Sequence, residues 1–300
     1  MSRSKSADKP TPELIEELYN EQVQRKNLTP ATHPNVVFVT GVAGSGKTHN
    51  TKNVKEDPVF NVFSIHPDDY RKRHPKLKQL IETHGRDNAH EYTGSFSNRT
   101  ALALRDKAIE NRLNVVYEAT FGNIETAKNL IDSFADNGYR VTVIALPVNL
   151  ELSIERNEER YQVKKEDMHT LPRKVSLEHI QKMADNFMNN LNELENNGVV
   201  VYRVFNHHEA RQTINDTVVS LQKNILTQEE AQTQMMSVYA EFIPENSEAY
   251  KDAEKRVEQQ IATHYKQGKT LTPQDIQQVR ENFTQKMPQV WQDYHQAAAK

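Results

Sequence analysis

Leu14, Ile15, Leu18, Tyr19 and Val23 recur at helical spacing behind Thr11-Pro12, a threonine N-cap followed by proline at the first helical position. The first element is therefore an amphipathic helix reaching about Asn27, and residues 29–34, with two prolines, end it. Residues 1–10, small, polar and charged, have nothing to bury and are expected to be disordered. From Asn35 the period changes. Short β-branched runs at 36–40, 59–65, 114–118, 141–146 and 199–205 are almost continuously apolar, as in strands buried on both faces. Helical periods fill the gaps at 98–112, 123–136, 149–162, 176–195 and 208–224. Such alternation implies right-handed crossovers and a parallel sheet covered on both sides. The fold class is α/β: a doubly wound parallel-sheet domain of about five strands, with helices on both faces, over residues 35–225.

Past Leu226 the strand pattern stops. Thr227-x-x-Glu230 is a capping box, Thr272-Pro273-x-Asp275 opens another helix, and Gly268 marks a helix stop. Apolar positions are sparse in a Gln-, Glu- and Lys-rich background, among them Met235, Met236, Tyr239, Val257, Ile261, Val279, Phe283, Val290 and Trp291. The chain thus reads as a disordered start with one helix (1–34), the α/β domain (35–225) and an all-helical appendage (226–300).

Composition narrows the function. The longest apolar run, 141–148, is far short of the roughly 20 residues a membrane helix needs. The basic N-terminus has no apolar segment behind it, so it does not read as a secretory signal. The absence of cysteine excludes disulfides, thiolate zinc sites and a cysteine nucleophile, and the cytoplasm is the expected compartment. Basic and acidic residues number 38 and 41, and up to residue 225 they balance, so a general nucleic-acid binder is not expected.

Gly41-Val42-Ala43-Gly44-Ser45-Gly46-Lys47-Thr48 matches the Walker A pattern, directly behind the first strand and ahead of a helix. Its glycines let backbone N–H groups turn around phosphate oxygens at a helix N-terminus. Lys47 would reach the β- and γ-phosphates of ATP, and Thr48 would ligate Mg2+. At the end of the second strand, Asp68 or Asp69 could accept a proton from an acceptor hydroxyl, cap the next helix or serve the metal. Glu118 ends the central strand, either as a weak Walker B carboxylate for Mg2+ or as a solvated loop residue, and Thr120 follows. Arg156 and Arg160 stand four apart on one helix face, and Arg173 follows in a loop. Together they could clamp the transferring phosphoryl group, or pair with surface glutamates. The basic run 71–78 could attract an anionic substrate, though a solvated face accounts for most of it.

These residues resemble the zeta toxin family, the toxin half of bacterial epsilon/zeta toxin–antitoxin systems, over about residues 11–225. The resemblance lies in the P-loop, in I-H-P-D-D-Y-R-K-R-H-P at 65–75 and in Ser97-Asn98-Arg99. It continues through N-V-V-Y-E-A-T at 114–120, A-L-P at 145–147, S-I-E-R at 153–156 and Arg173. It implies a kinase that uses ATP and Mg2+ to phosphorylate the 3′-hydroxyl of the sugar of UDP-N-acetylglucosamine or a related UDP-sugar, blocking peptidoglycan precursor synthesis. By position, Asp68 would be the general base, Lys47 the phosphate ligand, Thr48 the metal ligand, and Arg156 and Arg173 the phosphoryl clamp, with Arg160 competing for the role of Arg156. Glu118, Thr120, Asn98 and Arg99 would line the substrate side. A small helical epsilon-type antitoxin that obstructs the ATP site is the implied partner. The sequence departs from the family at Leu102, where studied members carry a carboxylate, and at Phe121-Gly122, where many have arginine. A phosphotransferase with another acceptor, and a P-loop module that binds nucleotide without turnover, are the alternatives.

Overall fold

The computed structural model describes residues 8–167, 170–222, 226–267, 271–273 and 275–285. The chain divides into two compact units between Val219 and Ser220.

The first unit is built on five parallel strands, β1 (Asn35–Thr40), β2 (Phe63–Ile65), β3 (Val115–Ala119), β4 (Arg140–Ala145) and β5 (Val200–Arg203), in the order β2-β3-β1-β4-β5. β1 lies between β3 and β4, so the crevice at its carboxyl end is a topological switch point, where open α/β sheets place their ligands. The register aligns the strand ends there: Thr40 is level with Ala119 and Ala145, and Ile65 with Tyr117.

Two predicted strands are shorter than their apolar runs. Residues 57–61 form a turn instead, in which the Asp57 carboxylate accepts from the Val59 N–H and Asn61 pairs with Thr29; Val59 is exposed. β5 is an edge strand, so Val200 and Tyr202 face solvent rather than a second layer, and Phe205 is 83% exposed. The helix expected at 98–112 is the end of a much longer one.

The helices that begin in this unit are α1 (Pro12–Lys26), α2 (Lys47–Glu56), α3 (Leu77–His84), α4 (Arg86–Glu110), α5 (Ile124–Ala135), α6 (Leu150–Glu166), α7 (Leu177–Asn196) and α8 (His207–Gln222), with a 3-10 turn at Pro67–Arg73. Thr11, Asn123, Asn149 and Ser176 cap α1, α5, α6 and α7 by accepting from the backbone N–H three residues on. The core gathers Phe38, Phe63, Leu104, Tyr117, Phe134, Phe187 and Leu191. α1 packs on it through Ile15, Leu18 and Tyr19 and closes the β2 edge. There Gln22 accepts from the Ser64 N–H and donates to the Ser64 carbonyl, both at 2.9 Å, in place of a neighbouring strand.

In the second unit α9 (Gln228–Ala240) and α10 (Glu248–Lys266) bury Ala231, Met236, Val257, Ile261 and Ile276. The capping box of Thr227 and Glu230 is formed, and the Thr272 hydroxyl accepts from the Asp275 N–H. Gly268, Val290, Trp291 and residues 1–7 lie outside the described residues. No helix of the described residues is long and apolar enough to cross a membrane.

Candidate active site

The P-loop turns through two glycines in the left-handed region, Gly44 at φ 83° and Gly46 at φ 84°. Gly44 also passes so close to α6 that a Cβ there would lie 2.2 Å from the Ser153 carbonyl oxygen. Gly41 is packed against Ser45, and Val42 accepts from the Ser45 N–H. Ala43 is half-buried and Thr48 exposed at the start of α2. Lys47 Nζ folds back on the loop, donating to the Gly41 and Val42 carbonyls at 2.7 and 2.9 Å. Burial lowers its pKa to about 8, against the upward pull of Glu118 and Asp68.

Glu118 is buried, not a solvated loop residue. Its carboxylate accepts from Thr48 Oγ1 at 3.0 Å and Thr51 Oγ1 at 2.6 Å, and His66 Nδ1 lies 2.7 Å away. Burial alone would raise its pKa; His66, Thr51 and Lys47 outweigh that and hold it at about 2. This oxygen-rich pair, the Thr48 hydroxyl beside a buried anionic carboxylate, suits a hard cation that completes its shell with phosphate and water. Among the described residues no group of three or more His, Cys, Asp or Glu could hold a metal unaided.

Asp68 stands in the 3-10 turn, its side chain 54% exposed, between two guanidinium groups. Arg71 Nε donates to Oδ1 at 2.9 Å, and Arg173 Nη1 donates to Oδ2. Burial pushes the Asp68 pKa up, but Arg173 and Arg71 more than reverse this, to about 2. Arg71 is itself held by the His90 carbonyl at 2.8 Å and Thr93 Oγ1 at 3.2 Å. Ser97 Oγ donates to the Pro67 carbonyl at 2.5 Å, so α4 fixes the turn on both sides of Asp68. Asp69 points elsewhere, to Lys55.

The charge of Arg160 acts on Lys47, Asp68 and Arg173, which draws α6 into the site, and Lys164 one turn on belongs to the same field. Arg156 is one turn earlier on α6 and half-buried. Asn98 is exposed and Arg99 half-buried on α4, while Thr120 is exposed just past β3. Phe121 behind it is buried at φ 46°, its carbonyl accepting from Asn190 at 2.8 Å.

Thr51, His66, Arg71, Ser97, Asn157 and Lys164 are site residues that sequence reasoning did not pick. His66, Arg71 and Ser97 lay inside quoted motifs. Thr51 was recoverable from its position one turn after Thr48 on α2.

A parallel sheet of this order, with a P-loop after β1 and cationic side chains converging from α6 and its following loop, is the architecture of the P-loop kinase class of folds. The zeta toxin family model matches residues 20–219, and the chain belongs to that family. A similar structure is that of the PezAT chromosomal toxin–antitoxin system of Streptococcus pneumoniae: 18% identity, 67% of this chain and 79% of that chain, TM-score 0.52. A putative kinase from Chloroflexus aurantiacus is 10% identical over 63% of this chain and 97% of its own, TM-score 0.43. Deoxyadenosine kinase from M. mycoides is 15% identical over 62% and 99%, TM-score 0.38. No curated protein sequence matches the chain.

Proposed function

We propose that the protein is a toxin kinase that transfers the γ-phosphoryl group of ATP to the 3′-hydroxyl of the sugar of UDP-N-acetylglucosamine or a related UDP-sugar, in the cytoplasm, depleting cell-wall precursor. The observation that carries this reading is the placement of Asp68, the one motif carboxylate presented beside Lys47, Arg160 and Arg173 rather than buried beneath the P-loop.

In this reading Gly41 to Thr48 wraps the phosphates and Lys47 leaves its own loop carbonyls for them. Thr48 and Glu118 would hold Mg2+, which supplies neutralising charge to the phosphates when bound. Arg173 swings from Asp68 to the transferring group, and Arg160 supports it, with Arg156 as the competing clamp. The sugar oxygen then bonds to the γ-phosphorus, the bond to the β-γ bridging oxygen breaks, ADP leaves and the hydroxyl proton passes to Asp68. A carboxylate of such low pKa serves here because a loose transition state develops little need for early proton removal. Asn98, Arg99 and Thr120 would face the UDP-sugar. By analogy with a neighbour from a toxin–antitoxin system, the partner would be a small helical antitoxin of the epsilon type, covering the nucleotide site.

The test is mass spectrometry of the protein with Mg-ATP and a panel of UDP-sugars, with Asp68→Asn alongside. A product heavier by one phosphoryl group, made by the wild type alone, is expected. Full activity of Asp68→Asn would overturn the base; no product from any UDP-sugar, with ATP still bound, would overturn the acceptor.

A further inference from the structure

Two guanidinium groups share the Asp68 carboxylate, and they are held in different ways. Arg173 Nη1 reaches Oδ2 from the loop that follows α6. Arg71 Nε donates to Oδ1 at 2.9 Å from within the 3-10 turn itself. Arg71 also has a second anchor, on α4: its Nη1 donates to the His90 carbonyl at 2.8 Å and to Thr93 Oγ1 at 3.2 Å, and the Thr93 hydroxyl donates to the same carbonyl at 3.0 Å. The guanidinium lies close over Gly94, where a Cβ would stand 3.4 Å from Nη1. The Arg71 side chain is 15% exposed, half the 30% of Arg173.

A planar fork fixes the direction of whatever it bridges, which a point charge such as an ammonium does not. Through Arg71, Oδ1 is therefore referred to the α4 backbone. Ser97 holds the Pro67 carbonyl from the same helix, so the main chain before Asp68 has the same reference. Oδ2 is bonded instead to a cation on a loop.

We infer that Arg71 is a positioning residue for phosphoryl transfer: it stays on Oδ1 of Asp68 while Arg173 leaves, so that Oδ2 is the oxygen that receives the proton of the acceptor hydroxyl. This rests on the reading of Asp68 as the proton acceptor. As the acceptor oxygen bonds to the γ-phosphorus, its O–H bond breaks and the proton passes to the oxygen that Arg173 has vacated, while Oδ1 still accepts from Arg71. Without Arg71 the carboxylate is free to turn about Cβ–Cγ and to follow Arg173, which misplaces the proton acceptor and keeps the loop cation paired. Such an arrangement costs turnover and leaves nucleotide binding in place.

The experiment compares the full chain with Arg71→Ala, Arg71→Lys and Asp68→Asn, using Mg-ATP and the UDP-sugar that the wild type phosphorylates, or water as the acceptor where it phosphorylates none. Arg71→Ala is expected to lower kcat about 10–100-fold, with KM for ATP within about twofold. Millimolar guanidinium chloride should restore its kcat about tenfold, whereas methylammonium, a point charge, should not. A general structural defect would not respond to which cation is supplied. Should Arg71→Ala fail to fold, Arg71→Lys carries the test, since it keeps the charge and is expected to lose about tenfold in kcat at unchanged KM. Wild-type kcat in the Arg71 variants while Asp68→Asn is inactive, or equal rescue by methylammonium, would overturn this inference alone. Full activity of Asp68→Asn, or no turnover of ATP by the wild type, would overturn the proton-acceptor reading and this inference with it.

Discussion

The side-chain amide of Asn157 grips the backbone of Val175 on both sides, Nδ2 donating to its carbonyl at 2.9 Å and Oδ1 accepting from its N–H at 3.2 Å. Asn157 is buried on α6, and Oδ1 also accepts from Arg160 Nη2 at 3.2 Å. Val175 lies two residues past Arg173. One amide therefore ties both cations of the proposed phosphoryl clamp to a single point. Asn157→Leu keeps the branching at Cγ and removes the grip. Its kcat is expected to fall about 10–100-fold, since small misplacements of a clamp are costly, while KM for ATP stays within about twofold. Two backbone groups lose their partners, so stability should drop by about 1–3 kcal/mol. Steady-state kinetics with thermal unfolding checks both, and a KM effect without a kcat effect would refute the clamp role.

Glu118 reaches Thr48 and Thr51 at once, so it both orders the start of α2 and supplies negative charge beneath the P-loop. Glu118→Gln preserves the shape and one acceptor oxygen and removes the charge. Nucleotide binding measured without Mg2+ should change little, whereas the gain in affinity on adding Mg2+ should shrink about tenfold or more. Equal losses with and without the ion would show that Glu118 is structural only.

Much of this was legible in the sequence for physical reasons. The P-loop and the five parallel strands announce themselves because buried strands are apolar throughout and phosphate cradles need glycine. Asp68, Glu118 and Arg173 were legible through their places at strand ends and in a loop. What stayed hidden acts through tertiary contact. Nothing local says that Asn157 will meet Val175, that Gln22 will serve as a partner for the β2 edge, or that Arg71 belongs to Asp68 rather than to a solvated basic face. The overlong strands at 59–65 and 199–205 failed because an apolar run does not reveal that a turn interrupts it or that its strand lies on an edge.

The two demands on glycine can be separated by substitution. Gly44 and Gly138 both have positive φ, at 83° and 74°, but a Cβ at Gly138 meets nothing within 4 Å, while at Gly44 it strikes the backbone of α6. Gly138→Ala therefore incurs only backbone strain, about 1–2 kcal/mol, and should bind nucleotide normally. Gly44→Ala adds a clash that can be relieved only by moving the P-loop or α6, so nucleotide affinity is expected to fall at least tenfold. Equilibrium binding of a fluorescent ATP analogue to both variants decides it, and normal binding by Gly44→Ala would show that the loop relaxes freely.

Lys26 offers a pH test of how α1 is seated. Its ammonium is buried and donates to the Val54 carbonyl at 2.7 Å and the Val62 carbonyl at 2.9 Å, holding α1 against α2 and the approach to β2. Burial, aided by the neighbouring Arg25 charge and opposed by Asp57, lowers its pKa to about 8. In the unfolded chain the same group titrates near 10.4. Between those values the unfolded state holds more protons than the folded one, so this residue makes unfolding less favourable as pH rises. Lys26→Met lacks the titration and shares every other group. The stability of the wild type relative to Lys26→Met should therefore climb between pH 8 and pH 10, by up to about 1.4 kcal/mol per pH unit, and stay level between pH 6 and pH 7. Urea unfolding of both proteins across this range measures it. A difference that stays level from pH 8 to 10 would mean that water reaches the ammonium and that α1 is held by its apolar face alone.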